Sequence, residues 1–282
     1  MHARVGLAME RSSLLWGSVL IALLSAGMLV TVVGMLVVVG DLGCSADFIG
    51  SRCAGLVEQF APWENIAQGL TGLLWVLPTG LGALLGVGIT AGEIERRSAQ
   101  VSWTLAASRT RWLLVRAVPV ALALFLILTV AAGFAEMVAR GRLMTDDAGF
   151  HDYQLRSLLV PARGLLAFTI GLGVGAVIGR TMPALLVAVV FSAASTYGLL
   201  VLIDAWHLAA AFFVRMDDPL LNSGIYPLVA SSSAGPGPDP QGLLLIPPSE
   251  YWVWVLREGG LLTLASLGAA LIALGVVQRR SP

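Results

Sequence analysis

Between Gly92 and Arg116 the chain gathers Glu93, Glu95 and five arginines, Arg96, Arg97, Arg109, Arg111 and Arg116, whereas the runs on either side, from Gly69 and on to Ala135, carry no charge. Such a cluster does the chemistry of charge pairing with a partner surface rather than catalysis. Lysine is absent, so all 17 basic residues are arginine. A phosphate-binding loop that uses lysine and a Schiff-base site are therefore both excluded. His2, His151 and His207 are scattered, and neither H-E-x-x-H nor G-x-S-x-G occurs. Ser192, Ser195, Thr196 and Tyr197 place hydroxyls in an apolar run without a base or metal partner in the spans, so none is an activated nucleophile. They are candidates for lining a pathway or for bonding to a neighbouring helix. The chain is thus expected to have no catalytic site, to bind no cofactor or metal itself, and to have no nucleic-acid partner.

The elements that position these residues are membrane spans. The chain is 57% hydrophobic and 12% charged, with a mean hydropathy of +0.85, against roughly 25% charged residues in soluble domains. Six spans are expected in a single transmembrane domain over residues 1–282, at about 14–40, 69–91, 113–135, 164–179, 184–203 and 259–277. The first apolar run exceeds the 7 to 15 residues or so of a cleaved signal, so it reads as a retained span. Arg4, Arg11, the five arginines of the link, Arg180, Arg279 and Arg280 fall on one side with only Glu10, Glu93 and Glu95, and the other acids fall opposite. Short arginine-rich segments stay in the cytoplasm, which places both termini there. Membrane lipid is then the surroundings of all six spans.

Between spans two and three, Ile94, Val101 and Leu105 recur at helical spacing, so a short cytoplasmic helix is expected, with Glu93, Arg96, Arg97 and Gln100 on its opposite face. The alternative is a solvated loop. Gly171, Gly175 and Gly179 lie at four-residue spacing in span four, which favours close packing within one subunit over a dimer seam. On the outer side, His207–Val214 and Leu243–Leu256 flank an irregular Ser-Pro-Gly loop, and short helices dipping into the outer leaflet are expected there, with Tyr251, Trp252 and Trp254 as an interfacial belt.

A resemblance extends this reading. Ala91-Gly92-Glu93, Glu95-Arg96, Trp103-Thr104 and Ser108-Arg109-Thr110-Arg111-Trp112 resemble the signature of type 2 ATP-binding-cassette (ABC-2) transporter permeases. The turn Gly179-Arg180-Thr181-Met182-Pro183-Ala184 and the approach Pro248-Ser249-Glu250-Tyr251-Trp252 are similar to family segments in the same order. One departure is Arg97-Ser98, where members more often carry Gly-Thr. The resemblance implies an all-α, six-span permease of a bacterial cytoplasmic membrane, a subunit without ATPase activity. It implies a homodimer working with two copies of a separate ABC ATPase, which binds the ATP and Mg, and export of a hydrophobic or amphipathic compound. The link would be the coupling helix, with Glu93, Glu95, Arg96, Arg97, Trp103, Arg109, Arg111 and Trp112 facing the ATPase, and spans two and five would open the route. The competing reading is a non-transporting receptor or assembly factor that uses its external loops.

Cys44 and Cys53 are a candidate disulfide, since they are close in sequence in a segment expected outside the cell, where the bond persists. The alternative is two free thiols. If they are bridged, a membrane-impermeant thiol probe labels neither until reductant is added, and the bond stabilises the loop by about 2–4 kcal/mol at most. Labelling before reduction would remove it.

Overall fold

The computed structural model describes residues 11–42, 54–96, 108–142, 153–155, 157–210, 212–215, 228–232, 242–245 and 251–279. Both cysteines and the link residues 97–107, including Arg97 and Trp103, lie outside these described residues. Six helices are long and apolar enough to cross a membrane. They are α1 (Arg11–Leu42), α2 (Ala54–Glu95), α3 (Arg109–Arg142), α4 (Leu159–Ile178), α5 (Thr181–Ala210) and α6 (Tyr251–Arg279). A 3-10 turn, Tyr153–Leu155, precedes α4. The chain is a multi-pass, α-helical membrane protein.

Helix α2 has 42 residues, or about 60 Å of rise, twice a hydrocarbon core of about 30 Å. It starts 15 residues ahead of the span expected from Gly69. Polar residues hide that extension, but Phe60, Ala67, Thr71 and Leu74 recur at helical spacing and are all buried. Pro62 and Pro78 both lie within the helix, where each removes one backbone donor and favours a bend. Opposite this stripe, glycines on α1 admit bulk. A Cβ at Gly34 would lie 2.6 Å from the Trp63 ring, one at Gly27 3.3 Å from Leu70, and one at Gly17 3.4 Å from Leu81. Partner numbers on α2 that rise as the glycine numbers on α1 fall show the two helices running antiparallel.

The closest helix approach is between α2 and α4, which run parallel. A Cβ at Gly82 would collide with the Gly164 carbonyl, and one at Gly86 with that of Phe168. From the other side, a Cβ at Gly171 would lie 2.8 Å from the Ala83 carbonyl oxygen, and one at Gly175 would strike Thr90 Oγ1. Small residues at four-residue spacing on both helices bring the backbones together. Thr90 Oγ1 then donates to the Leu172 carbonyl across the seam at 3.1 Å. The span-four glycines thus pack inside one subunit. Gly179 has another use: its φ of 69° caps α4, and its N–H donates to the Gly175 carbonyl at 2.9 Å.

The remaining helices close around this pair. Ala83, Val87 and Ala91 of α2 meet Ala184 and Ala188 of α5, a second seam of small side chains. Helix α6 packs along α4 through Val255 and Leu262 against Leu159, Leu166 and Ile170. Helix α4 begins at Leu159, earlier than the expected Gly164, which brings Arg163 into the helix at 3% exposure.

The expected short helices before the last span take another form. His207–Ala210 continues α5, and Tyr251–Leu256 is the first turns of α6. Between them, β1 (Phe212–Arg215), β2 (Leu228–Ser232) and β3 (Gly242–Leu245) form an antiparallel sheet in the order β1-β3-β2, with Phe212 opposite Leu245 and Arg215 opposite Gly242. These apolar runs are too short for stable helices, and cross-strand pairing satisfies their backbone groups.

The glycine seam makes a sharp prediction. Gly86→Leu has no room beside the Phe168 carbonyl and the Leu172 N–H, so it lowers the melting temperature of detergent-solubilised protein or abolishes folding, a cost of about 3 kcal/mol or more. Gly69→Ala, where an added Cβ meets nothing within 4 Å, stays neutral or gains up to about 1 kcal/mol.

Candidate functional site

The link between α2 and α3 leaves and re-enters the bundle at one end, called here the link end, together with the C-terminus of α4, the N-terminus of α5 and the C-terminus of α6. Glu93 and Glu95 lie two residues apart on the last turn of α2, which at 3.6 residues per turn aims them to nearly opposite sides. Glu93 is 7% exposed, and its Oε1 is 2.6 Å from Arg116 Nη1 on α3. The Arg116 guanidinium also lies 5.1 Å from the centroid of the Trp112 ring. Glu95 points to α5, where its Oε2 accepts from the Thr181 N–H at 2.9 Å and from the Thr181 hydroxyl. Thr181 is the first residue of α5, so a carboxylate from α2 satisfies an open donor at the positive end of another helix.

Helix α3 starts on its own cap. Ser108 Oγ accepts from the Arg111 N–H at 3.1 Å, while its carbonyl accepts from the Trp112 N–H at 3.0 Å. Gln278 ties α6 to this start, because its side-chain amide donates to Thr110 Oγ1 at 2.9 Å and its carbonyl accepts from Arg109 Nη1 at 3.4 Å. The link ends of α2, α3, α5 and α6 are thus joined by side chains. Arg96 and Arg111 are exposed there, as are Arg180 and Arg279. Of the residues singled out for a partner surface, Arg96 and Arg111 are therefore presented to solvent, Arg109 is partly covered, and Glu93 and Trp112 are turned inward.

Toward the opposite end, α2 and α5 diverge to leave a groove of about 300 Å³. Trp75, Val76 and Thr79 line it from α2, and Val189, Thr196 and Tyr197 from α5. Two of the four hydroxyl candidates, Thr196 and Tyr197, meet in it; Ser195 and Ser192 do not line it, and Ser192 is 1% exposed. Against Trp75 lies a charged residue that the span expected from Gly164 leaves just outside the membrane-spanning run. Arg163 sits with its guanidinium carbon 5.0 Å from the Trp75 ring centroid, and its Nη2 donates to the Gln154 carbonyl. It also lines a small cavity with Glu258, which is 2% exposed. The missed signal was the pair of charges Arg163 and Glu258, each standing just before an apolar run, where a buried charge needs a counter-charge or hydrogen bonds.

The pair of Glu93 and Arg116 is mostly withdrawn from water, so removing one member strands the other. Glu93→Gln destabilises the detergent-solubilised protein by about 3 kcal/mol, whereas the combined Glu93→Gln, Arg116→Met change recovers most of that loss. Additive losses in thermal melts would show that the two side chains act separately.

No curated protein and no solved structure matches the chain. The family described as ABC-2 membrane transporter related matches residues 18–203, well over half of the chain. That stretch runs from α1 to α5 and includes the glycine seam, the groove and the link-end contacts of α2, α3 and α5, but not those of Gln278 on α6. Membership implies a membrane transport subunit that partners an ABC ATPase. The chain belongs to the ABC-2 membrane transporter related family.

Proposed function

We propose that the chain is the membrane-spanning permease of an ATP-driven exporter, working as a homodimer with two copies of a separate ABC ATPase in a bacterial cytoplasmic membrane. Both termini and the link end face the cytoplasm, in keeping with their excess of arginine. ATP and Mg bind the ATPase, and this chain supplies no catalytic group. The observation that carries the reading is the contact of Glu95 with Thr181, which joins the helix entering the link to the first residue of α5.

A push from the ATPase on the coupling segment, Glu93 to Arg111, reaches the end of α2 first. From there it passes to α3 through Glu93 and Arg116, and to α5 through Glu95 and Thr181. Rigid helices transmit such a displacement as tilt, the usual form of domain-scale switching. The exposed arginines Arg96, Arg111 and Arg180 suit an acidic docking surface on the ATPase. Between α2 and α5 the apolar groove is the start of a route for a hydrophobic or amphipathic compound, with Thr196 and Tyr197 on its wall. Helix α5 exposes Leu186, Val190, Phe191 and Tyr197, a face on which a second copy would close the route.

Reconstitution in liposomes tests the reading. The chain alone hydrolyses no ATP above background. With its ATPase it moves an apolar fluorescent cargo, and a hydrolysis-dead ATPase abolishes that movement. Glu95→Gln keeps ATPase capture but lowers cargo moved per ATP by at least about fivefold, the lower range of coupling between distant sites. Equal efflux with the dead ATPase, or no ATPase bound after native extraction, would leave a receptor or assembly role instead.

A further inference from the structure

The groove between α2 and α5 carries two features that packing does not explain. The first concerns hydroxyls. Thr31, Thr71, Thr90, Thr129, Thr169 and Thr263 each donate to a carbonyl one turn back. Thr110 and Thr181 bond to other helices. Among the described threonines only Thr79 and Thr196 have no such partner, and both line the groove. Two hydroxyls that no backbone carbonyl takes up, one on each wall of the groove, suit a ligand with hydrogen-bonding groups.

The second feature is Trp75. It is 42% exposed in the groove, while Arg163, 3% exposed, stacks behind the same ring at 5.0 Å. Among the described residues Arg163 Nε and Nη1 have no hydrogen-bond partner, so only Nη2 is engaged. A guanidinium on one face of an indole already uses the electron-rich quadrupole that would attract a second cation. Its charge also acts at short range through a medium of low dielectric. Glu258 offsets part of that charge; both side chains line the small cavity rather than the groove, but it is Arg163 that lies over the Trp75 ring. The open face of Trp75 therefore suits a flat, neutral or anionic ring and repels a cationic one. A groove of about 300 Å³ lies at the small end of the roughly 300–1,000 Å³ of ligand sites, which suits a few fused rings.

We propose that this groove recognises polycyclic aromatic compounds bearing hydroxyl, carbonyl or carboxylate groups, with Trp75 as the stacking platform, Thr79 and Thr196 as hydrogen-bonding partners, and Arg163 as the residue that excludes cations. The proposal deepens the transport reading by naming the cargo class. It is tested without ATP or ATPase, so its failure is distinguishable from a failure of that reading.

The experiment is equilibrium dialysis of 1-pyrenecarboxylate, 1-pyrenemethanol and 1-pyrenemethylammonium against the full chain in nanodiscs of zwitterionic lipid, with empty nanodiscs as the reference. The three probes share one ring system and differ in charge. Saturable binding of the carboxylate and the alcohol is expected, with the ammonium at least about tenfold weaker, the size of effect expected for one charge at this range. Arg163→Gln narrows that gap to below about threefold. Trp75→Leu weakens all three by about three- to tenfold, the typical worth of an aromatic stack. Equal binding of ammonium and carboxylate by the unaltered chain overturns the proposal, as does binding no greater than to empty nanodiscs, or a charge preference that survives in folded Arg163→Gln. Should Arg163→Gln not fold, the charge series on the unaltered chain still decides, and Thr79→Val with Thr196→Val is expected to weaken the alcohol by at least about threefold.

Discussion

Helix α2 and helix α4 touch backbone to backbone, and the rest of the bundle is arranged around that contact. Lipid tails are as apolar as leucine, so burying apolar surface gives helices in a membrane little reason to associate, and close packing must supply it. Gly82 and Gly86 on one helix and Gly171 and Gly175 on the other remove the side chains that would hold the backbones apart. Thr90 adds a hydrogen bond across the same seam. With that face committed, α2 has two others. One brings Leu74 into the cluster of large side chains from α1 and α3, among them Met28, Leu124 and Leu128. The other meets the alanines of α5. A helix held on three sides moves as a unit, so a displacement at its Glu93–Glu95 end is delivered to its neighbours rather than absorbed.

Polar side chains are placed accordingly. At the link end, pairs join different helices: Glu93 to Arg116, Glu95 to Thr181, and Gln278 to Thr110 and Arg109. Most hydroxyls along the spans are spent on their own helix, which satisfies them without linking neighbours. Among the described threonines, Thr79 and Thr196 alone are left without a carbonyl partner, and both stand where α2 and α5 border the groove. The same two helices are therefore tied at one end and parted by a groove further along, a geometry in which a small rotation about the tie changes the width of the groove.

How much of this could be read in the sequence depends on how local each signal is. The six spans were legible because a run of apolar residues is a local signal, and hydrocarbon thickness sets its length. The span-four glycines were legible as a packing face for the same reason. The extension of α2 back to Ala54 was not, because Glu58, Glu64 and Gln68 mask a stripe that only α1 makes useful. The strands after α5 were missed because four apolar residues fit helix or strand equally, and pairing partners distant in sequence decide. For the site, charge composition drew attention to the link region, but sequence cannot tell which charges turn inward. Glu93 and Arg96 look alike in a string of letters. One is buried against Arg116 and the other faces solvent, since the helical turn between them spans the boundary of the bundle. Arg163 was harder still, because its partners Trp75, Gln154 and Glu258 come from three separate stretches.

The gradient of side-chain size along the α2–α5 interface completes the argument. Near the link end the contact is built from Ala83, Val87 and Ala91 against Ala184 and Ala188, and small residues keep the axes close. Further along, Gly80, Val76 and Trp75 of α2 and Val189, Thr196, Tyr197 and Leu200 of α5 line the groove, and bulkier side chains replace the alanines. The helices therefore splay from a tight end that carries the Glu95–Thr181 tie. Thr196 stands 15 residues along α5 from Thr181, or about 22 Å, so a tilt of about 5° at the tie moves it by about 2 Å. That is comparable to the gap between a closed aromatic contact and an open one. Long helices thus turn a small movement at the link into a change of groove width, without unfolding any segment or breaking the glycine seam.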